Sequence, residues 1–365
     1  MSEKTRHSSE KLRGILEKDR ISASAPCRVD MGGTLDITSL FYPLAHLRPC
    51  TFNISLDMRT RVSLHPYTPG RVRVESMGFA PAEYSLDEAP FDHPMGLMFA
   101  VAAHFAIDGI LIEVESSSPP RSALGGSSSA AVALVASYFE LLKAAQIRLP
   151  EIEAIPVLAH GIEESIAGVP CGMQDQLAAV YGGANAWHWE ERGGRPSWRQ
   201  QSLAGAGEAS WLNERILVAY CGVPHESRDI NGTWIRRFLS GRDRRRWEKI
   251  VDATKRFVYA FSEKDLDSAA GWMNLETEIR RELTPEVVDE TGAELMEAAA
   301  LGNCGARFAG AGGGGCLWAL GPAEAISELR EEWAAVTKRR PEAGILETRV
   351  DTRGVVGDFS IGRFS

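Results

Sequence analysis

Ser122–Leu142, SALGGSSSAAVALVASYFELL, is the stretch on which the fold turns. It opens on small residues and continues as Ala, Val, Leu and Phe with few polar interruptions. That pattern predicts a helix over about Ser129–Ala145, buried on most sides. A helix that starts on a Gly/Ser turn offers free backbone N–H groups and the positive end of its dipole to an anion. Serine hydroxyls there can reach a phosphate oxygen or a hard cation. The spacing is not the Walker pattern, because no Lys-Ser or Lys-Thr follows the glycines, and it lacks G-x-G-x-x-G. A Gly/Ser cap on a buried helix would use the same residues.

Two other glycine-bearing stretches extend the reading. GVPCGMQDQLAAVYGG, Gly168–Gly183, carries Asp175, which can accept the proton of a hydroxyl attacking a phosphate, or cap the short helix expected over Gln174–Tyr181, or both. GARFAGAGGGGCLWAL, Gly305–Leu320, contains successive glycines that permit positive φ and close backbone approach. The strand-like CLWAL behind them argues against a flexible linker. A phosphate cradle, a metal-holding helix end and a carboxylate base are together the equipment of a small-molecule kinase.

The bulk properties agree. A chain of 365 residues exceeds what one core usually supports, so two lobes are expected. Hydrophobic content of 44% and charged content of 24% are those of a globular protein. A net charge of −9 speaks against nucleic acid as partner, since backbone binding needs a basic face. The six cysteines are scattered without CxxC or zinc spacing and read as reduced thiols. Residues 1–20 are polar and charged, with no apolar run for a signal peptide or membrane span. They are expected to form a loose or short helical leader on a cytoplasmic protein.

Strands are predicted over Ile21–Val29, Arg59–Leu64, Arg71–Glu75 and Ile110–Glu115, a helix over Glu151–Ala167, and a hairpin plus surface loop over Trp187–Gly207. The lobe boundary is placed within Gly205–Asn213, giving lobes of residues 21–208 and 209–365. Beyond a strand at Ile216–Tyr220, helices are expected over Trp234–Ser240, Arg244–Phe261, Leu266–Leu283, Glu286–Leu301 and Glu324–Thr337. Strands at Arg307–Ala309, Cys316–Leu320 and Gly344–Val350 complete an α+β order.

PPRSALGGSSSAAV resembles the phosphate-binding loop of the GHMP kinases, the galactokinase, homoserine kinase, mevalonate kinase and phosphomevalonate kinase superfamily, whose usual pattern is P-x-x-x-G-L-G-S-S-A-A. Here Ala123 stands where the family often has Gly, and Gly125-Gly126 contains one extra residue. The resemblance implies that Pro120, Ser122, Leu124, Gly125, Gly126, Ser127, Ser128, Ser129 and Ala130 hold ATP. It makes Ser128 the Mg²⁺ ligand, with Ser127 and Ser129 as near alternatives. Glu163 lies at the edge of the apolar stripe Leu158, Ile162, Ile166 and can point into a cleft. In sugar-kinase members a glutamate stands twelve residues before the catalytic aspartate, as Glu163 does before Asp175, which implies a second Mg²⁺ ligand.

CGMQDQ is similar to the galactokinase-like G-x-M-D-Q or G-x-Q-D-Q, which implies Asp175 as the base and Gln174 beside the substrate. APCRVDMGGTLDI, Ala25–Ile37, resembles the N-terminal segment of sugar and heptose-phosphate kinases. Arg28 matches the arginine beside the base, where a fixed cation would keep Asp175 ionised and stabilise charge on the transferring phosphoryl. Asp36 matches the aspartate that grips sugar hydroxyls, with Gly33 and Thr34 in the same segment, while Asp30 replaces the usual Asn or Ser. GARFAGAGGGGC is similar to the third family motif, which implies that Gly310, Gly312, Gly313 and Gly314 pack on the phosphate loop, with Gly312 and Gly313 lining the substrate cleft. CGVPHESRDIN brings His225 and Arg228 toward the substrate mouth, although a plain loop histidine fits as well. Arg48, Arg59, Arg61 and Arg228 are the cations available for a phosphorylated acceptor.

The resemblance implies an N-terminal lobe like ribosomal protein S5 domain 2, a ferredoxin-like C-terminal lobe, and ATP between them. The activity expected is ATP- and Mg²⁺-dependent transfer of the γ-phosphate to a hydroxyl, most simply the anomeric one, of a heptose 7-phosphate or galactose-type sugar. A catalytically silent sugar- and ATP-binding regulator is the alternative; retention of Arg28, Glu163 and Asp175 speaks against it. A mevalonate-branch decarboxylase is disfavoured by the GMQDQ match.

Overall fold

The computed structural model describes residues 11–168, 170–224 and 230–357. Two long antiparallel strands, β1 (Ile21–Met31) and β2 (Cys50–Pro66), form the spine of the first lobe. All of β1 is buried, since it is covered on both faces. Its pairing jumps from Pro26↔Arg59 to Cys27↔Leu56, a bulge just before Arg28. Such irregularities re-aim the side chains that follow them. The sheet continues through β3 (Val72–Ser76), β4 (Ala82–Tyr84), β5 (Ile110–Ser116), the hairpin β6 (Ala184–Arg192) and β7 (Arg195–Ala204), and the terminal β12 (Val356–Gly357). Gly193 and Gly194, both at positive φ, make the tight hairpin turn.

Helices cover this sheet: α1 (Thr38–Leu44), α2 (Gly96–Phe105), α3 (Gly126–Ala144), α4 (Ala154–Ala167) and α5 (Gln174–Tyr181). The Ala-rich body of α3 is buried from Ser128 to Leu141 and packs on β1 and β2, as its sequence requires. After α6 (Ala209–Asn213), which falls within the interval chosen for the lobe boundary, the second lobe is a four-stranded antiparallel sheet. Its strands are β8 (Ile216–Tyr220), β9 (Gly305–Phe308), β10 (Cys316–Leu320) and β11 (Gly344–Ile345), in the order β11-β8-β10-β9. That is the ferredoxin-like arrangement, with α7 (Ile230–Leu239), α8 (Arg244–Ser262), α9 (Leu266–Leu283) and α10 (Glu290–Leu301) inserted in the first crossover and α11 (Ala323–Thr337) in the last. The α+β, two-lobed architecture is the one expected.

Several local expectations change. β2 starts nine residues before the predicted Arg59, and α1, α2 and β4 were not anticipated. Glu286–Leu301 is broken: a 3₁₀ turn at Pro285–Val287 ends in extended Val288, and Asp289 caps α10 by accepting the Gly292 N–H at 2.6 Å. The final strand is paired only at Gly344–Ile345, after which the chain returns to the first lobe through a Leu56–Val350 bridge and β12. The end of the leader is helical over residues 11–16, and Leu12 and Leu16 enter the first lobe's core.

The lobes share apolar packing and a buried charge cluster. Phe52 of β2 meets Phe257 and Phe261 of α8 at ring distances of 5.0 and 4.9 Å. Beside them, Glu276 of α9 accepts from Arg280 Nε at 2.6 Å and Arg307 Nε at 3.0 Å. Arg307 Nη1 then crosses to the carbonyl of Asp30 on β1 at 3.1 Å. All three charged side chains of the Glu276 cluster are fully buried. Glu276→Ala strands two guanidinium groups without their counter-charge, so urea denaturation should show a loss of about 3–5 kcal/mol. Arg330→Ala, which breaks the exposed Arg330–Glu347 pair, should cost less than about 1 kcal/mol.

Candidate active site

Arg28 leaves the β1 bulge and meets Asp175, in the first turn of α5, in a two-pronged pair: Nε to Oδ1 at 2.7 Å and Nη2 to Oδ2 at 2.6 Å. Its remaining nitrogen donates to the Ala123 carbonyl at 2.7 Å, and its backbone N–H to the Leu124 carbonyl at 2.9 Å. Burial opposes the Arg28 charge, but Asp175 and then Asp30 outweigh it and hold the guanidinium pKa above its ordinary value. Asp175 keeps part of its carboxylate open, with a side-chain exposure of 21%.

The phosphate loop is shaped by its carbonyls. Ser122 accepts from Cys316 N at 2.9 Å, and Ala123 and Leu124 both accept from Arg28. Arg121, Ala123 and Gly125 all have positive φ, an alternation of the kind in which neighbouring N–H groups converge on an anion. Ala123 at φ 61° explains why glycine suits that position. A Cβ on Gly125 would stand 3.4 Å from both the Arg28 guanidinium and Asp175 Oδ2. Leu124 is buried beneath the loop and Pro120 is exposed at its entrance.

Ser127 Oγ and Ser128 Oγ donate to the two oxygens of Glu163 at 2.6 and 2.8 Å, and Gln176 Nε2 donates at 2.7 Å. Burial pushes the Glu163 carboxyl up, against these hydrogen bonds. Two hydroxyls and a carboxylate form a hard oxygen set that suits Mg²⁺. Ser129 is differently placed: its Oγ donates to the Pro26 carbonyl at 2.8 Å and fixes α3 to β1, with Ala130 buried behind it.

Asp36 Oδ2 accepts the Gln174 N–H at 2.9 Å, while buried Oδ1 has no hydrogen-bond partner among the described residues. A Cβ at position 172 would fall 2.0–2.2 Å from the Asp36 carboxylate, so Gly172 is what lets the two segments touch. Burial raises the Asp36 carboxyl to about 6, the Gln174 N–H partly offsetting it. Thr34, two residues before Asp36, has φ 81°, a strained conformation for a β-branched residue and of order 1–3 kcal/mol uphill. Gly33 fits beneath Asp30 and Gln174, whose side-chain atoms would lie 2.5 and 2.7 Å from a Cβ there.

Three expected substrate contacts are used internally. Asp30 is fully buried, accepting from Gly310 N at 2.7 Å and Arg307 Nη1 at 3.3 Å. Gly312 and Gly313 pack on Val287, the latter donating to its carbonyl at 2.9 Å. Gly310 and Gly315 do lie against the phosphate loop, near Ala123 and Ser122. Arg59 is engaged by Asp351, Ser24 and the Gly354 carbonyl, and so holds the returning tail. His225 and Arg228 lie outside the described residues. Sequence reasoning missed Gln176, Glu276, Arg280 and Arg307. The Glu276–Arg280 pair was detectable as an i,i+4 ion pair within a mostly apolar stripe, Ala269, Met273 and Leu283.

Residues 94–183 match the model of the GHMP kinases N terminal domain, and residues 257–338 that of the GHMP kinases C terminal. The chain belongs to the GHMP kinase family. Mevalonate kinase of Thermococcus onnurineus is 23% identical over 336 residues, 83% of this chain and 90% of its own length. Among solved structures, a D-glycero-D-manno-heptose 1-phosphate kinase from Bacteroides thetaiotaomicron superposes with a TM-score of 0.68 at 16% identity, over 92% of this chain and 98% of its own. The galactokinase of Lactococcus lactis complexed with galactose gives 0.70 at 16%, over 96% and 99%. At these identities the solved structures speak for the shared fold. As a member of this family the chain is a phosphotransferase acting on a hydroxyl acceptor.

The raised Asp36 value has a direct consequence. The folded state binds a proton that the unfolded chain, titrating near 3.9, releases, so stability should fall as pH rises from about 4 through about 6. In urea titrations the wild type should lose up to about 3 kcal/mol across that window relative to Asp36→Asn, in which the slope due to this group is gone.

Proposed function

We propose that this protein transfers the γ-phosphate of ATP, with Mg²⁺, to a hydroxyl of a small polyol, a sugar or sugar phosphate. The observation that carries the reading is the Arg28–Asp175 pair at the mouth of the Gly/Ser helix start, together with the Asp36 oxygen that has no hydrogen-bond partner among the described residues. In this reading residues 21–208 carry the nucleotide and residues 209–365 close the cleft over it.

The steps follow from the chain's own groups. Loop N–H groups and the start of α3 hold the phosphates. Asp36 and Gln174 accept hydrogen bonds from acceptor hydroxyls. One of these hydroxyls gives its proton to Asp175 as its oxygen bonds to the γ-phosphorus, and the bond from phosphorus to the ADP oxygen breaks. Arg28 orients Asp175 and faces the charge that spreads over the transferring group. Ser128 and Glu163 would hold Mg²⁺, which when bound offsets phosphate charge. A mevalonate-type hydroxy acid is the second reading, favoured by the match to T. onnurineus mevalonate kinase along most of the chain.

The experiment is ATP-dependent phosphorylation across aldoses, uronic acids, heptose phosphates and mevalonate. One sugar-class acceptor should turn over; mevalonate alone would select the second reading. Tight ATP binding without turnover on any acceptor would mean a silent regulator. With the true acceptor, Asp175→Asn should lower kcat by about 10²–10⁴-fold while ATP affinity stays within a few-fold. Glu163→Gln should raise the Mg²⁺ needed for half-maximal rate by about tenfold or more.

A further inference from the structure

We infer that the buried Arg280–Glu276–Arg307 cluster of the second lobe is the positioning device of the acceptor site, an inference that rests on reading Asp36 as an acceptor ligand. Arg280 Nη2 donates to the Gly33 carbonyl at 2.7 Å, and Nη1 to Thr34 Oγ1 at 3.3 Å. The guanidinium has no freedom to wander: Glu276 holds Nε, and its carbon lies 4.9 and 5.3 Å from the ring centroids of Trp234 and Trp247. The other oxygen of Glu276 holds Arg307, which reaches the carbonyl and carboxylate of Asp30. One carboxylate therefore fixes two cations that grip both ends of the segment Asp30–Thr34, and Asp36 follows two residues on.

Two features separate this from simple lobe cement. Apolar packing already joins the lobes, and a buried ion cluster adds little net stability over apolar residues of similar volume. What it adds is fixed geometry, and it is applied where the backbone needs holding, at Thr34 in the left-handed region. Released from Arg280, Thr34 would relax, and Asp36 would lose the position from which its unpaired oxygen faces the acceptor. The second lobe thus sets acceptor recognition without touching the acceptor.

The test separates acceptor binding from everything else. Arg280→Met should raise the acceptor KM by about tenfold or more, leaving the ATP KM and kcat within about threefold. Thr34→Gly, which removes the left-handed strain, should recover part of that loss when combined with Arg280→Met. Thr34→Val removes a single hydrogen bond and should raise the acceptor KM by about threefold. Acceptor KM unchanged in Arg280→Met, or ATP and acceptor KM rising together as Tm falls, would overturn the inference. If Arg280→Met does not fold, an unchanged acceptor KM in Thr34→Val overturns it alone. If the wild type phosphorylates nothing in the panel, the proposed function fails, and amide hydrogen exchange over residues 32–37 decides this point separately. Exchange at least about tenfold faster in Arg280→Met supports it, and an equal rate overturns it.

Discussion

The guanidinium of Arg28 is the reference point of the whole site. Five donors in a rigid fork let one side chain bind Asp175 in two prongs and the Ala123 carbonyl besides, while its backbone N–H takes Leu124. Asp175, the Gly/Ser loop and the central strand are thereby fixed to one another within hydrogen-bond distance. A lysine at this position has one charge centre and cannot hold a carboxylate and a carbonyl in fixed directions together. The bulge before Arg28 supplies the angle, and Gly125, at φ 76°, turns the loop into α3 beside the pair.

Around that point the glycines do two different jobs. Gly125 and Gly172 serve the functional groups: the first takes the positive φ with which the loop turns beside the Arg28–Asp175 pair, and the second lets Asp36 reach Gln174. The run Gly310–Gly315 bonds both ways: Gly310 N crosses to Asp30 of the first lobe, while Gly313 N bonds the Val287 carbonyl and Gly315 N the Val223 carbonyl within the second, so the run is a tightly bonded turn. A Cβ on Gly312 or Gly315 would fall 2.4 Å from the Val287 carbonyl oxygen and 2.7 Å from that of Ser122. A linker would have needed none of these contacts.

How much was legible in the sequence follows from the range of each interaction. The α3 helix, its Gly/Ser start and the α+β order of the second lobe are written in local periodicity and turn residues, while its ferredoxin-like arrangement came from the resemblance to the GHMP kinases. The meeting of Ser127, Ser128 and Glu163 was reachable because the resemblance to sugar kinases joined a serine run to a glutamate that the helix pattern places at an amphipathic edge. The burial of Asp30 was not: an aspartate in a segment of substrate ligands looks like another ligand, and only the position of Arg307, 277 residues later, decides otherwise. The early start of β2 is a different case: Cys50–Leu56, CTFNISL, alternates apolar and polar residues as a strand should, and all seven are buried where β2 runs between β1 and β6.

The two sides of the cleft are therefore built on different physical terms. The donor side is assembled from backbone groups, small residues and one helix start, and its contacts are mostly within the first lobe. The side proposed for the acceptor hangs on long-range charge: Thr34 is strained and ends a segment held by arginines from the second lobe, and Asp36, buried with one oxygen unpaired among the described residues, follows it. Backbone cradles tolerate sequence change, because every residue carries the same N–H. Side-chain clamps do not, because each depends on one guanidinium and its counter-charge. On the reading proposed above, the second lobe's buried cations hold the acceptor side in place from one layer behind the residues that would touch the acceptor.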